Sequence, residues 1–214
     1  MILSIEGNIG SGKSTLLNIL KTKYRLHHKV IFVDEPVDEW NLIKVDGKSI
    51  LEHFYQDKQK YSFTFQILAY ITRLRKLLDI LEKNEDKVII CERSIYTDKY
   101  VFAKMLYQQK FINEMEWQTY NYWFDTFKEK TKVNTIIYVN TEPQLCYQRI
   151  KKRNRNGESD IPIEYLNHCH QLHEEWLCDK SLDTNIITFN GNQDIAEIDE
   201  NTYINSLDYI NSLV

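Results

Sequence analysis

The chain has 214 residues, of which 43% are hydrophobic and 27% charged, and its net charge is −4 at pH 7. This composition predicts one globular domain with a full hydrophobic core and excludes an intrinsically disordered chain. The acidic balance argues against nucleic acid as the main partner, and a mean hydropathy of −0.49, without any long uncharged apolar run, argues against a membrane-spanning helix.

Five short apolar runs predict β-strands. Each is rich in Ile and Val and is continuous rather than alternating, as expected for strands covered on both faces. The stretches between them have helical spacing, as in the leucine stripes at residues 16–20 and 74–81. This alternation predicts an α/β domain with a parallel sheet. The predicted strands are Ile2–Glu6, Val30–Asp34, Val88–Glu92, Thr135–Asn140 and Asn185–Phe189.

A phosphate-binding loop follows the first strand, because residues 7–14 fit the pattern G-x-x-x-x-G-K-[ST]. Glycines let backbone N–H groups turn toward a phosphate, and the next helix presents its positive end to the anion. Lys13 is placed to reach the β- and γ-phosphates, and the Ser14 hydroxyl to coordinate Mg²⁺. We therefore predict a site for ATP or another nucleoside triphosphate. Its residues are Gly7, Asn8, Ile9, Gly10, Ser11, Gly12, Lys13, Ser14 and Thr15.

Several classes of protein use such a loop, including GTPases, helicases, motor ATPases and small-molecule kinases. No N-K-x-D guanine motif ends a predicted strand, which weakens the GTPase interpretation. The size and acidic charge of the chain disfavour a helicase or translocase. A small-molecule kinase fits these observations best.

Two predicted strands end in acidic residues, and ligands bind at the carboxyl ends of parallel strands. After the second strand, Asp34 or Glu35 is either a helix cap or a general base for a hydroxyl that attacks the γ-phosphate. After the third strand, Glu92 suits the Mg²⁺ shell opposite Ser14. Arg93 is expected to contact a phosphate or orient the base, or to form an ordinary ion pair with Glu92 or Glu35, and these roles are compatible.

A basic segment at about residues 149–159 predicts a mobile lid. It holds three of the seven arginines of the chain, Arg149, Arg153 and Arg155, and the first two lie on one helical face. Arginine meets phosphate oxygens bidentately and keeps its charge. Charge runs are usually solvated faces, but scarce arginines gathered just before a glycine favour a lid over a triphosphate.

The cysteines and the amino-terminal residues predict a cytoplasmic protein. The four cysteines are widely spaced and form no CxxC pair, which is typical of reduced thiols. The first residues are strand-like and show neither a basic signal peptide nor an Arg-rich transit leader. The cluster His168-Cys169-His170-x-x-His173 looks like a metal site, but its spacing spreads the ligands over different helix faces, so we assign no metal to it.

Six motifs occur in the order shown by one known family: GNIGSGKST, DEPVDEW, FYQDKQKYSFTFQ, ERSIYTDKY, RIKKRNRNGES and HEEWL. By these motifs the chain resembles the deoxynucleoside kinases of the deoxycytidine and deoxyguanosine kinase and insect deoxynucleoside kinase type. The resemblance runs from Met1 to about Leu177. The resemblance implies a single three-layer P-loop kinase domain over residues 1–214, with a five-stranded parallel sheet ordered 2-3-1-4-5. It also implies a homodimer packed through long helices, including the stretch around Phe111–Phe127.

The resemblance implies roles at the acceptor side, where the substrate would be a deoxynucleoside. Glu35 would take the proton from the sugar 5′-hydroxyl, with Arg93 between that base and the phosphates. Tyr55 and Glu158 would hold the 3′-hydroxyl, and Gln66 would hydrogen-bond the nucleobase edge. The walls of the base pocket would be Trp40, Phe54, Phe65 and Phe102.

On the donor side, the resemblance implies that Lys13 serves catalysis and that Ser14 and Glu92 organise Mg²⁺. The lid arginines would clasp the donor. A loop at about residues 189–195, including Asn190 and Asp194, would lie around the adenine of ATP, although the match is loose after Asn185.

The choice of nucleobase depends on Arg73, seven residues after Gln66, and Asp98, six after Glu92. By resemblance these match a charged pair of deoxycytidine- and deoxyguanosine-type members, where thymidine-accepting members have small or apolar groups. A thymine methyl would meet Arg73, and a buried polar pair rejects a ligand that leaves it unpaired. We expect deoxycytidine, purine deoxynucleosides or both as substrates, and thymidine as a poor one.

Two alternatives stay open from the sequence. A nucleoside-monophosphate kinase, such as a thymidylate kinase, would need a cation for the acceptor phosphate, where this chain has Tyr55 and Glu158. A regulatory module that binds nucleotide without turnover would not need Glu35, Glu92 and Arg93. Phosphorylation of a deoxynucleoside remains the function that explains all of these residues.

Overall fold

The structure, a computed structural model, describes residues 1–84, 86–155, 158, 161–179, 183–193 and 208–213. A five-stranded parallel sheet forms its centre, in the order β2-β5-β1-β6-β7. Counted along the chain, this is the predicted order 2-3-1-4-5. The strands are β1 (Ile2–Glu6), β2 (Val30–Val33), β5 (Val88–Glu92), β6 (Thr135–Asn140) and β7 (Asn185–Asn190), and a separate hairpin pairs β3 (Lys44–Val45) with β4 (Lys48–Ser49).

Helices connect the strands and cover both faces of the sheet. A π-helical segment, Asp98–Ala103, joins two short α-helices, and residues 208–213 are also helical. The α-helices are α1 (Lys13–Lys23), α2 (Val37–Leu42), α3 (Ile50–Gln56), α4 (Lys58–Lys83), α5 (Ile95–Thr97), α6 (Lys104–Gln108), α7 (Glu114–Phe127), α8 (Pro143–Arg153) and α9 (Ile163–Leu177). Among the helices of the described ranges, none combines the length and the apolar character that a membrane span requires.

Alternation of side chains along the strands divides the core into two layers. Leu3 and Ile5 point to one face of the sheet and pack with the leucines of α1 and with Ile210. Ile2 and Ile89 point to the other face, which α4, α9 and the π-helical segment cover. These layers confirm a three-layer α/β fold and explain why the central strands are continuously apolar.

A third apolar cluster lies beyond the edge of the sheet. It joins aromatic side chains of α2, α3 and α4 to those of α7, with Phe54, Tyr120 and Phe124 almost completely buried. Three of the residues predicted as walls of the base pocket, Trp40, Phe54 and Phe65, belong to this cluster. This cluster forms the wall against which the cavity described below is built.

The structure differs from the sequence predictions at a few boundaries. β2 ends at Val33, so Asp34 lies beyond it, and β7 continues to Asn190. The hairpin over residues 44–49 was not predicted, although its Asp46-Gly47 dipeptide, with φ of 51° and 76°, is typical of a two-residue turn. Its strands are only two residues long, too short for an alternating pattern to show.

Candidate active site

A cavity of about 320 Å³ opens at the carboxyl ends of β1, β2 and β5. The phosphate-binding loop, Glu35 and the pair Glu92-Arg93 follow or end these strands, so the parallel sheet brings them to one edge. All eleven residues predicted for the acceptor line this cavity: Glu35, Trp40, Phe54, Tyr55, Phe65, Gln66, Arg73, Arg93, Asp98, Phe102 and Glu158.

The phosphate-binding loop contributes Ile9, Gly10, Gly12, Lys13, Ser14 and Thr15 to the lining. Gly10 has a φ of +78°, and a Cβ atom there would lie 2.6 Å from the carbonyl oxygen of Cys146, so only glycine fits. Lys13 Nζ donates to the carbonyl of Asn8 at 2.6 Å. Burial, together with nearby Arg93, lowers the pKa of Lys13 to about 8.

Three predicted loop residues lie outside the lining. Asn8 Nδ2 instead donates to the carbonyl of Leu166 at 2.8 Å, which ties the loop to α9. Ser11 offers its carbonyl to Thr141 Oγ1 at 2.9 Å. A Cβ atom on Gly7 would lie 2.5 Å from the carbonyl oxygen of Val139. These residues fix the shape of the loop through contacts on the side away from the cavity.

Ser14 and Glu92 meet as predicted, because Ser14 Oγ donates to Glu92 Oε1 at 2.7 Å. Hard oxygen ligands of this kind suit Mg²⁺, which is typically bound by one or two protein oxygens together with phosphates and water. Among the described residues, there is no group of three or more His, Cys, Asp or Glu side chains placed to hold a metal. The donor set at Ser14 and Glu92 therefore fits a metal that arrives with the phosphates.

Glu35 is the acid of the Asp34-Glu35 pair that faces the cavity. Its Oε1 accepts from Arg93 Nε and from Arg73 Nη2, each at 3.1 Å. Burial acts to raise the pKa of Glu35, but the two guanidinium groups outweigh it and lower that pKa to about 2. Asp34 is 61% exposed and pairs with Lys21 on the surface. Of the two acids between which the residues alone did not decide, the one in the cavity is thus Glu35, and it is ionised.

Arg93 forms the ion pair with Glu35 that was one of its predicted contacts. It also donates from Nη1 to the carbonyl of Gly7 at 2.7 Å. The guanidinium lies 5.0 Å from the ring centre of Phe102. Arg93 therefore connects the first residue of the phosphate-binding loop to the acid at the end of β2.

Arg73 and Asp98 form a buried pair on the acceptor side. Arg73 Nε donates to Asp98 Oδ2 at 2.9 Å, and its Nη1 donates to the carbonyl of Glu92 at 3.0 Å. Burial raises the pKa of Asp98, and the charge of Arg73 opposes that rise. Because Arg73 contacts the backbone of β5 as well as two acids, its position is fixed from three directions.

Aromatic rings and one amide shape the rest of the acceptor side. Phe65 stacks on Phe54 with ring centres 4.8 Å apart and meets Trp40 edge-on at 5.3 Å. Gln66 is buried, and its Oε1 has no hydrogen-bond partner among the described residues. An unpartnered amide oxygen in a cavity is available to accept a hydrogen bond from a ligand.

The sequence analysis missed four lining residues, Val37, Leu51, Ala69 and Tyr165. Tyr165 lies beside Tyr55, with ring centres 6.4 Å apart. These are ordinary apolar and aromatic positions, and nothing in their local sequence separates a cavity wall from a core position.

Glu158 is buried and accepts hydrogen bonds from both Arg153 and Arg155, the latter at 3.2 Å. Burial, followed by the charge of Glu158, raises the pKa of Tyr55, so its phenol stays neutral. The predicted lid residues Arg153, Arg155 and Glu158 thus meet at the cavity, close to Tyr55.

Arg149 also lines the cavity, but its guanidinium contacts backbone carbonyls. It donates to Ser11 at 3.2 Å, Gly191 at 2.9 Å and Gln193 at 3.0 Å. Asn190 ends β7 outside the cavity lining and accepts from the N–H of Asn192. Asp194 and the end of the predicted adenine-side loop lie outside the described residues, as do positions 156, 157 and 159 of the predicted lid.

Comparison with known proteins places this arrangement in context. The family model for deoxynucleoside kinase matches residues 3–214. A probable deoxycytidine kinase from Fowlpox virus is 37% identical over 202 residues, covering 91% of this chain and 80% of the viral protein. Deoxycytidine kinase from Homo sapiens is 37% identical over 224 residues, covering 91% and 85%. Mitochondrial deoxyguanosine kinase from Xenopus laevis is 33% identical over 198 residues, covering 84% and 74%.

Proposed function

The chain belongs to the deoxynucleoside kinase family, and we propose that it transfers the γ-phosphate of ATP to the 5′-hydroxyl of deoxycytidine or of purine deoxynucleosides, with thymidine a poor acceptor. One observation supports this most. The ionised Glu35 lines the same cavity as the phosphate-loop Lys13 on one side and Gln66 on the other. A carboxylate between a phosphate site and a base pocket is placed to act on the sugar hydroxyl.

The donor site would use charge neutralisation, as phosphoryl transfer generally does. Backbone N–H groups of residues 9–15 and the Lys13 ammonium would bind the β- and γ-phosphates. Ser14 and Glu92 would hold Mg²⁺, which when bound offsets the negative charge of the phosphates. Arg153 and Arg155 would belong to a lid over about residues 149–159. When the donor binds, they would exchange part of their hydrogen bonding to Glu158 for contacts with its phosphates.

Glu35 would accept the proton of the 5′-hydroxyl as that oxygen attacks the γ-phosphorus. A general base at this position contributes about 10²–10⁴-fold to the rate. Arg93, bonded to both Glu35 and the Gly7 carbonyl, would keep the base oriented toward the phosphates. The carboxylate must be ionised to act, which its low pKa ensures at neutral pH.

The acceptor pocket would read the base by hydrogen bonding and shape. Gln66 would bond the base edge while Trp40, Phe54, Phe65 and Phe102 enclose the ring, and Tyr55 with Glu158 would hold the 3′-hydroxyl. The buried Arg73–Asp98 pair opposes the methyl group of thymine. The names of the relatives, deoxycytidine and deoxyguanosine kinases, support this preference.

We infer a homodimer from the long helices at the outer edge of the molecule. Apolar side chains of α4 and α7 are exposed there, with Met115 at 78% and Tyr122 at 75%, alongside Ile71 and Trp123. Large exposed apolar groups on neighbouring helices favour an interface. A cytoplasmic location stays a prediction, supported by the four cysteines, which are all in the described residues and all free thiols.

The purified chain with ATP and Mg²⁺ tests the proposal when it is given deoxycytidine, deoxyadenosine, deoxyguanosine, thymidine and thymidine monophosphate in parallel. We expect monophosphate products from deoxycytidine or the purine deoxynucleosides, and little from thymidine. Turnover of thymidine monophosphate alone would overturn the assignment of Tyr55 and Glu158 to a sugar hydroxyl. Equal turnover of thymidine and deoxycytidine would overturn the specificity assigned to Arg73 and Asp98.

A further inference from the structure

Glu6 is a fully buried carboxyl at the carboxyl end of β1, behind the cavity and absent from its lining. It points to the same face of the sheet as Ser4, because side chains two residues apart along a strand share a face. That face is otherwise largely apolar and packs against α4, α9 and the π-helical segment. A carboxyl in such a position opposes folding unless hydrogen bonds satisfy it.

Three hydroxyl groups satisfy Glu6. Its Oε1 accepts from Ser94 Oγ at 2.6 Å and from Ser4 Oγ, and its Oε2 accepts from Thr97 Oγ1. Burial raises the pKa of Glu6, and the three hydroxyl hydrogen bonds oppose that rise. Both carboxyl oxygens are therefore used. Two of the three donors come from residues 94–97, which comprise Ser94 and the single helical turn of α5 and are called the turn 94–97.

Ser94 and Thr97 are each adjacent in the chain to a residue that is linked to Glu35. Ser94 directly follows Arg93, which contacts Glu35 at 3.1 Å. Thr97 directly precedes Asp98, which holds Arg73 at 2.9 Å, and Arg73 in turn contacts Glu35 at 3.1 Å. Glu6 thus binds the turn 94–97 at both ends, and each end leads to one of the two guanidinium groups on Glu35.

The backbone of this turn needs such an anchor. Arg93 has a φ of +64°, a left-handed conformation that is unfavourable for a residue with a side chain. Its N–H donates to the carbonyl of Ile5 at 3.0 Å, directly before Glu6. A strained backbone conformation persists only when several neighbouring contacts hold it in place. The hydrogen bond from Ser94, the next residue, to Glu6 is one of these contacts.

We propose that Glu6 is a positioning residue for phosphoryl transfer, holding the turn 94–97 so that Arg93 directly and Arg73 through Asp98 both engage the carboxylate of Glu35. The inference rests on the proposed function of Glu35 as the base. Glu6 touches neither substrate, and it acts by fixing the residues that do.

Kinetics of Glu6→Ala and Glu6→Gln test the proposal. Glu6→Ala leaves three hydroxyls without their acceptor, so the turn loosens, and we expect kcat to fall about 100-fold, as misplacement of about 1 Å does. The KM for ATP should change little, because Glu6 does not line the cavity. The KM for deoxynucleoside should rise by a smaller factor than kcat falls, because Glu6 reaches the acceptor pocket only through Asp98 and Arg73. Glu6→Gln keeps the shape and one acceptor oxygen, and the hydroxyls can rotate to accept from its amide, so most of kcat should return.

Thr131→Val provides a matched control. Thr131 is also fully buried, and its Oγ1 donates to the carbonyl of Phe127 at 3.1 Å, in the segment before β6 and outside the cavity lining. It should lower thermal stability without lowering the kcat of the folded enzyme. If Thr131→Val and Glu6→Ala lower kcat alike, Glu6 has only a general structural role and the proposal is overturned.

A double-mutant cycle with Arg93→Ala tests whether Glu6 acts on catalysis through Arg93. If Glu6 acts through Arg93, adding Glu6→Ala to Arg93→Ala should cost far less than Glu6→Ala costs alone. Fully multiplicative losses would contradict the proposal. If Glu6→Ala does not fold, Thr97→Val takes its place in the cycle, with a smaller expected loss of about tenfold for the removal of one donor.

A readout without turnover separates this inference from the proposed function. The Nε–H groups of Arg73 and Arg93 are buried and hydrogen-bonded, and their ¹H–¹⁵N signals can be assigned with Arg→Lys variants. Both signals should shift in Glu6→Ala or Thr97→Val and stay in place in Thr131→Val. Unmoved signals overturn the role of Glu6 whatever the substrate, whereas moved signals in a protein without deoxynucleoside kinase activity would overturn only the proposed function.

Discussion

Arg73 donates to Glu35 at 3.1 Å, so the arginine proposed to select the nucleobase also contacts the residue proposed as the general base. Its other atoms hold Asp98 and the Glu92 carbonyl. The proposed roles therefore assign one guanidinium to both nucleobase recognition and the orientation of the base. A substitution made to change the nucleobase preference should also change the ionisation of Glu35.

We expect Arg73→Met to raise the pKa of Glu35 from about 2, because burial then acts against one guanidinium instead of two. Loss of one close charge moves such a pKa by about 1 to 3 pH units. Glu35 must be ionised to act as the base. On acidification, kcat of the variant should therefore begin to fall at a higher pH than kcat of the unchanged protein. The kcat profile for deoxycytidine between pH 3 and pH 7 measures this.

Arg75→Met is the control for that profile, because Arg75 is on the same helix, is 64% exposed and pairs with Glu39 outside the cavity. Its acid limb should coincide with that of the unchanged protein. An Arg73→Met profile that also coincides would show that Arg73 has no part in holding Glu35 ionised.

The double variant Arg73→Met with Asp98→Ala should improve thymidine relative to deoxycytidine. Both members of the buried pair leave together, so no unpaired charge remains and space opens for the thymine methyl. We expect the ratio of kcat/KM for thymidine over deoxycytidine to rise at least about tenfold. An unchanged ratio would mean that thymidine is rejected elsewhere in the pocket. Asp98→Ala alone shows what Arg73 does when Glu35 is the one acid left in contact with it.

Glu35→Gln should separate binding from chemistry. The amide keeps the shape but cannot take the hydroxyl proton, so kcat should fall by about 10²–10⁴-fold while ATP still binds. Isothermal titration with ATP and a single-turnover assay measure the two effects. Asp34→Asn changes the neighbouring acid, which is exposed and pairs with Lys21, and should leave kcat unchanged. Persistent turnover in Glu35→Gln would remove Glu35 from the role of base.

The parts of this molecule that sequence predicts are those encoded by short contiguous patterns. The apolar strands, the phosphate-binding loop and the Ser14–Glu92 contact follow from strand ends that must meet at one edge of a parallel sheet. By contrast, Asp34 and Glu35 are adjacent, and only the end of β2 at Val33 decides which of them faces the cavity. Resemblance supplied that choice, and the geometry agrees with it.

Other features depend on residues far apart in the chain. Glu6 looks like any strand end until Ser94 and Thr97 approach it across about ninety positions. Tyr165 and Ala69 line the cavity only because α9 and α4 pack around it. Periodicity assigns a residue to a helix face, but it does not say whether that face meets a neighbouring helix or an open cavity.

His173 is buried in the core, although it belongs to a His-Cys-His cluster that looks like a metal site in the sequence. It stacks on Tyr138, and its Nδ1 lies 2.7 Å from the carbonyl oxygen of Cys169. Burial, aided by the charge of Arg93, lowers the pKa of His173 to about 3, so the folded state keeps it neutral. The unfolded chain binds a proton there below its ordinary pKa of about 6.5.

Between pH 6.5 and about 3 the unfolded state therefore holds more protons at His173 than the folded state, and stability falls as pH decreases. The slope from this one group approaches about 1.4 kcal/mol per pH unit. His173→Gln should be less stable at pH 7, since it alters a packed site, but should lose less stability on acidification. Urea unfolding at pH 7 and pH 5 measures the difference. An equal loss of stability in His173→Gln and in the unchanged protein would show that His173 does not cause this pH dependence.

The exposed apolar residues of α7 predict the oligomeric state. Tyr122 and Trp123 lie on α7, exposed by 75% and 44%. A charge at the centre of an apolar interface is strongly unfavourable, so Tyr122→Lys should convert a dimer into a monomer. Sedimentation at micromolar concentration measures this. Leu26→Lys makes the same kind of change at a residue that is 87% exposed after α1, and it should leave the sedimentation unchanged. If the unchanged protein sediments as a monomer, or if both variants remain dimers, α7 is not the interface.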